Sequence, residues 1–373
     1  MAFPPSPSFS LSVGIGTHTE EANIKKTLEI WGFKEIHACG RGVFGRVYRV
    51  KNRNGEVHAV KVLQRNRIAV KEIFFLKESQ GHPAIVKLIS QFEDSTHVFI
   101  ILEILQQTLA QFIRATKGSL PGWAALEQTK VLLLALAYIH SKGIVHADLK
   151  PDNVMYDSKR KLKVVDFSSS RNGVFEDGTL ICRKHTWEHL VTRWYRSCEL
   201  FLGTEVFNGA VDVFSAGAIL CELLLGKPVF NGDSDFGTLM KIYKRMGTPG
   251  LNSSLATLPY YRHSHPRFPK PSLCLGEEKI KSKLSPAGCE VLLRMLTLEP
   301  EGRPTAGDAA IACGEVATRA RHCIGCRIVL SKSNSSRRQR KILPATRAKC
   351  NMCILALGAM PRPCTFRGYS FLQ

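Results

Sequence analysis

No stretch of this chain is apolar for long enough to cross a bilayer. The longest clean run, residues 131–139, has nine residues, against roughly 20 for a spanning helix. No membrane partner is expected. Residues 1–12 lack both a basic start and an apolar core segment, so a secretory signal is not expected and an intracellular address, cytoplasm or nucleus, is the default. Crowded cysteines are also missing: twelve are spread over 373 residues, which argues for reduced thiols and against a disulfide framework. Acidic residues are absent from residues 316–373, where twelve Lys or Arg supply more than half of the net charge of +21. Any contact with nucleic acid or another polyanion is therefore expected through this tail and not through the rest of the chain. What is present is ordinary, 44% apolar and 22% charged residues, which excludes a wholly disordered or fibrous chain.

The pattern along the chain predicts four regions. Residues 1–30 read as a loosely ordered leader, because Pro, Ser and Thr crowd its first twenty positions. Residues 31–105 alternate short Gly-punctuated apolar runs with one helical stretch at 68–78, which predicts about five strands and one helix. Residues 106–320 carry longer apolar periods, clearest at 127–141 and 210–225, and predict a larger, mainly helical lobe. Residues 321–373 turn to Cys, Arg, Ser and Pro without periodicity and read as a disordered tail. The fold class is α+β, two lobes.

Three clusters carry chemistry. Gly40, Gly42 and Gly45 form G-x-G-x-x-G between two apparent strands, where missing side chains let backbone N–H groups approach phosphates. A dinucleotide fold would continue into a helix; here the text after Gly45 reads as strand, so a nucleotide would lie under a β-ribbon. On the next strand Ala59 and Lys61 share a face, a small residue beside an ammonium. A solvated Lys is the alternative, but Glu72 sits on the apolar stripe of Ile68, Phe75 and Leu76 and needs a cation there. The densest cluster is His146, Ala147, Asp148, Leu149, Lys150, Pro151, Asp152, Asn153, held between the apolar pairs Ile144, Val145 and Val154, Met155. Thirteen residues on, Val164 and Val165 lead into Asp166 and Phe167. Asn153 and Asp166 offer hard oxygens of the kind Mg²⁺ prefers, and Asp148 is left to accept the proton of an attacking hydroxyl.

These residues resemble those of a eukaryotic-type protein kinase over about residues 33–310. Val191, Thr192, Arg193, Trp194, Tyr195 and Arg196 before Glu199, together with Asp212, the run Gly247, Thr248, Pro249, and Arg303, are similar to the cyclin-dependent and MAP kinase group. The resemblance implies a bilobal kinase fold with ATP and Mg²⁺ in the cleft and phosphoryl transfer to Ser or Thr of protein substrates. It implies that Cys39, Gly40, Gly42, Gly45 and Val47 cover the nucleotide and that Lys61, paired with Glu72, holds its α/β-phosphates. Ala59, Leu102, Met155 and the backbones of Glu103 and Leu105 would enclose adenine. Asp148 would be the base, Lys150 a γ-phosphate contact, and Asn153 and Asp166 the Mg²⁺ ligands. The helix at 68–79 is similar to the helix that contacts cyclins, so a cyclin-like activator is a candidate partner.

The pattern is broken in places. Ala147 replaces the Arg that binds the activation-segment phosphate in this family, leaving Lys71 and Arg171 of three expected cations. Ser168 stands where the family has Gly after Asp166 and Phe167, and should hinder flipping of that segment. Ser197 and Cys198 precede Glu199 where Ala and Pro are usual, and Thr186 is out of register as a phosphate acceptor. These departures keep a second reading open, a pseudokinase scaffold. In the tail, Cys323/Cys326 and Cys350/Cys353 have spacing near that of a four-thiolate zinc site, and Arg337, Arg338, Arg340 and Lys341 form a basic run.

Overall fold

The computed structural model describes residues 16–41, 45–116, 120–183, 193–269 and 277–335; for 16–18, Arg41 and 322–335 the backbone alone is described. Residues up to Cys323 form one compact unit, and Ile324–Gln373 separates as another, described only as helical backbone to Ser335.

The first lobe is an antiparallel sheet of β1 (Lys34–Arg41), β2 (Gly45–Lys51), β3 (Val57–Gln64), β4 (Leu88–Glu93) and β5 (His97–Glu103), in the order β1-β2-β3-β5-β4. Alternation gives this sheet two apolar faces. Tyr48, Val50, Val60, Val62, Phe99 and Ile101 form one cluster, while Leu63, Val98 and Ile100 join the main core on the other side. A sheet apolar on both faces must be covered on both.

Helix α1 (Gly16–Ile30) covers the first face, with Ile24 and Leu28 only 2% and 0% exposed in that cluster. For residues 16–30 this replaces the expected loosely ordered leader with a docked helix, while residues 1–15 lie outside the described residues: the i, i+4 pair Ile24 and Leu28 is the apolar stripe that the sheet requires. Trp31 continues the cover by stacking on Phe92 at 4.1 Å, and Phe92 stacks on Phe99 at 4.5 Å. Helix α2 (Arg67–Glu78) lies beside the main core; the Asn66 side chain caps it by accepting from the N–H groups of Ile68 and Ala69.

The second lobe is helical, with small sheets at its edge. After β6 (Gln107–Thr108), α3 (Leu109–Thr116) and α4 (Gly122–Ser141) come β7 (Ile144–Val145), β8 (Val154–Tyr156) and β9 (Leu162–Val164). Strands β10 (Arg171–Asn172), β11 (Val174–Glu176) and β12 (Thr179–Arg183) follow, then α5 (Cys198–Phe201) and β13 (Val206–Phe207). Helix α6 (Ala210–Leu225) is buried along its whole length after Ala210, as a helix apolar all round must be, and Gly226 at φ 80° ends it in the left-handed conformation. Helices α7 (Asp235–Met246), α8 (Glu278–Lys283), α9 (Pro286–Met295) and α10 (Ala306–Ser335) complete the lobe.

Helix α10 passes well beyond residue 320, where the sequence predicts the end of ordered structure; Cys313, Val316 and Ala317 bury its first half against the core. Cys323 and Cys326 lie on its helical backbone, whereas Cys350, Cys353 and the basic run from Arg337 lie outside the described residues. Cys39, Cys182, Cys198, Cys221 and Cys313 are free thiols, but Cys289 is disulfide-bonded, against the expectation of reduced thiols throughout. Among the described residues no helix is long and apolar enough to cross a membrane.

Candidate active site

The strand register assembles one wall of the cleft. Antiparallel pairing sets Val47 opposite Lys61 and Ala59 opposite Leu102, so these four side chains share the face away from α1. Gly45 lies so close to β3 that a Cβ there would come within 2.3 Å of the Val62 carbonyl oxygen. Gly42 lies outside the described residues, while Cys39 and Gly40 are exposed on β1.

Lys61 reaches across the cleft. Its Nζ donates to Glu72 Oε1 of α2 at 2.6 Å and to Asp166 Oδ1 at 3.1 Å. Burial works to lower the Lys61 pKa, but the two carboxylates outweigh it and hold the amine charged. Burial alone would raise the Asp166 pKa; the Lys61 cation and the Ser168 hydroxyl reverse this and hold it well below the usual carboxylate range.

Ser168 is a residue whose part the sequence does not reveal. Its Oγ donates to Asp166 Oδ1 at 2.7 Å, and its backbone N–H points at the same oxygen at 3.3 Å. Asp166 itself sits at φ 63°, a conformation that costs about 1–3 kcal/mol for a non-glycine residue and must be over-determined by its surroundings. A hydroxyl two residues after a carboxylate is the kind of local side-chain bonding that could have signalled this.

The cluster from His146 to Asn153 forms the second wall. Lys150 Nζ donates to Asp148 Oδ2 at 2.6 Å, and Asn153 Nδ2 donates to the same oxygen at 3.1 Å and to the Asp148 carbonyl at 2.8 Å. Burial pushes the Asp148 carboxyl up, and the Lys150 ammonium offsets part of that rise. The Val165 N–H donates to the Asn153 carbonyl at 2.9 Å, tying this loop to the residues between β9 and Asp166.

Backbone support comes from two buried groups. Asp212 of α6 accepts from the His146 and Ala147 N–H groups at 2.8 and 2.9 Å and from His140 Nε2 at 2.9 Å. His146, fully buried, faces the Asp148 N–H with Nδ1 and the Val165 carbonyl with Nε2, so the neutral tautomer with the proton on Nε2 satisfies both.

The linker between the lobes has a suitable gap. Glu103 N–H is taken by the Lys87 carbonyl at 3.0 Å, so Glu103 has at most its carbonyl to offer a ligand. Leu105 makes no hydrogen bond with its N–H or C=O among the described residues, and Met155 and Leu102 are half-buried beside this linker and strand.

Sequence comparison agrees with this geometry, since the family model described as the protein kinase domain matches residues 33–312. The chain belongs to the protein kinase family. Within this kinase domain Arg303 forms a bidentate pair with Glu199, both contacts at 2.7 Å, and it also donates to the Leu298 carbonyl. Ala147 holds φ 63° without any side chain to reach a phosphate. Arg171 turns back on its own chain, donating to the Ser169 and Ser170 carbonyls at 2.7 and 3.1 Å. Thr186 lies outside the described residues.

Proposed function

We propose that this kinase domain is active and transfers the γ-phosphoryl group of Mg-ATP to Ser or Thr of protein substrates. The observation that carries the reading is a set of three side-chain oxygens. Asp166 Oδ2, Asn153 Oδ1 and Asp148 Oδ1 have no partner among the described residues, while the other polar atom of each side chain is bonded. Asp166 and Asn153 thus offer two hard oxygens that fit Mg²⁺, and Asp148 offers a basic oxygen to a hydroxyl. Leu105 offers an unpaired backbone donor and acceptor that fit an adenine edge, with Ala59 leaving room beside it.

When bound, Mg²⁺ neutralises charge on the triphosphate. Lys61, kept charged by Glu72 and Asp166, binds the α/β-phosphates. Lys150, fixed on Asp148, meets the γ-phosphate and orients the carboxylate at once. Asp148 then accepts the hydroxyl proton at Oδ1, and its raised pKa makes it the better acceptor. Ser or Thr as acceptor rests on the resemblance to the cyclin-dependent and MAP kinase branch.

A scaffold without catalysis is the second reading, favoured by Ala147 and by the loss of Ala and Pro before Glu199. A cyclin-like activator on α2 has support from Val70 and Phe74, which stand 64% and 45% exposed on that helix. Action in the cytoplasm or nucleus is the expected address, and polyanion binding by the tail is a separate proposal that rests on the basic run from Arg337, which lies outside the described residues. The deciding experiment is a phosphotransfer assay with Mg-ATP and a panel of Ser/Thr proteins. Transfer to Ser or Thr is expected; no transfer to the panel or to the kinase itself, with ATP bound, would favour the scaffold.

A further inference from the structure

Helix α1 is tied to the sheet by more than its apolar stripe. Arg46 Nη2 meets Glu20 at 2.9 Å and Nη1 meets Glu21 at 3.6 Å, with the Arg46 side chain only 15% exposed. Glu20 also reaches His97 Nε2 of β5 at 3.4 Å, and Thr27 Oγ1 reaches Asp94 Oδ2 at 3.4 Å. Glu21 is shared with Lys25 at 3.0 Å. Docking of the helix already follows from Ile24 and Leu28, so the ion pairs need another account.

Their position supplies one. Arg46 directly follows Gly45, the last glycine of the candidate phosphate loop, and by alternation it lies on the α1 face while Gly45 and Val47 lie on the cleft face. Gly45 is pressed against the Val62 carbonyl on β3, and Val47 stands opposite Lys61. The base of the loop is thus held on one side by the strand that carries Lys61 and on the other by two carboxylates of α1.

From this geometry we propose that Glu20 and Glu21, acting through Arg46, are positioning residues for the nucleotide: they clamp the start of β2, Gly45 to Val47, against the strand that carries Lys61. The proposal rests on the kinase reading for its consequence in ATP binding, but the clamp itself belongs to the nucleotide-free protein. Loosening it lets β2 open more often near Gly45 and weakens capture of ATP. It leaves the transfer step on captured ATP unchanged, because neither carboxylate touches the reacting groups.

The test uses the full-length protein and four variants: E20Q/E21Q, E20R/E21R, R46E, and the swap E20R/E21R/R46E. Amide hydrogen exchange of β2 is measured without nucleotide, and KM for ATP and kcat are measured in parallel. The neutral and reversed variants are expected to exchange faster over residues 45–50 and to raise KM for ATP about three- to fivefold, the scale of two partly exposed ion pairs. Their kcat is expected to stay unchanged, and the swap should recover both readouts. Unchanged exchange over 45–50 in E20Q/E21Q and R46E would overturn the clamp, as would a swap that recovers neither readout. If the wild type fails to bind ATP the kinase reading falls, while exchange in the nucleotide-free protein still decides the clamp.

Discussion

The cleft and the activation segment of this protein have met different fates. In the cleft, Lys61, Glu72 and Asp166 form one bonded set and Asp148, Lys150 and Asn153 another, with contacts between 2.6 and 3.1 Å. Beside Asp148 the cation expected at position 147 is an Ala, and in the segment after Asp166 Arg171 bonds its own backbone. What remains described at the end of that segment is the buried pair of Glu199 with Arg303. The contrast teaches that the charge arrangement for phosphoryl transfer and the cations that sense a regulatory phosphate are separable.

The largest effect is expected in the cleft. Asp148→Asn should lower kcat by about 10²–10⁴-fold, the usual worth of a positioned base, while ATP affinity by equilibrium binding stays near wild type. An equal loss of both would make Asp148 a structural residue. Glu199→Gln breaks a buried pair whose Arg303 then keeps an uncompensated charge, and should cost about 3–5 kcal/mol of stability, read by denaturant unfolding. A loss below 1 kcal/mol would mean that the segment is anchored elsewhere.

Ser168→Ala should follow, because it removes a hydroxyl bond to a charged oxygen, about 1.5–3 kcal/mol. The expected signature is a raised requirement for Mg²⁺ and a lower kcat/KM, both partly restored in Ser168→Thr. No change in either would show that the backbone N–H alone holds Asp166.

A smaller shift is expected with pH. The Asp148 pKa lies above the ordinary value, roughly 3.9 in model peptides, so its proton-accepting form is lost early on acidification and the acid limb of kcat/KM should fall above that value. Lys150→Ala removes the cation that opposes the rise and should move the limb to higher pH; a move to lower pH would contradict the assignment. The smallest effect belongs to the activation segment, where phosphatase treatment should leave kcat unchanged because Ala147 offers no cation to a phosphate.

Much of this site could be read before any coordinates, and the reason is chemical. Carboxylate, ammonium and amide packed between apolar strands are costly unless they work together, so Asp148, Lys150 and Asn153 declare themselves. The span 210–225 was legible because it is apolar on every side. Helix α1 was hidden by the Pro- and Ser-rich text before it, although the unbroken apolar run at 98–102 signals a strand buried on both faces and hence a missing cover. Helix α10 was hidden because Cys, Arg and Gly blur its apolar stripe. The bond from Ser168 to Asp166 was overlooked for another reason: at that position Ser suggests lost backbone freedom, which drew attention away from the local bond its hydroxyl can make to a carboxylate two residues before it.

The most direct measurement is a single-turnover transfer experiment in which wild type and Asp148→Asn are both saturated with radiolabelled Mg-ATP and mixed with a Ser/Thr protein substrate. Label should pass to Ser or Thr with the wild type and be slowed at least a hundredfold in the variant, the low end of the range for a positioned base, although both hold nucleotide equally. Bound ATP with no transfer by the wild type, or equal transfer by both proteins, would contradict an active cleft built around Asp148.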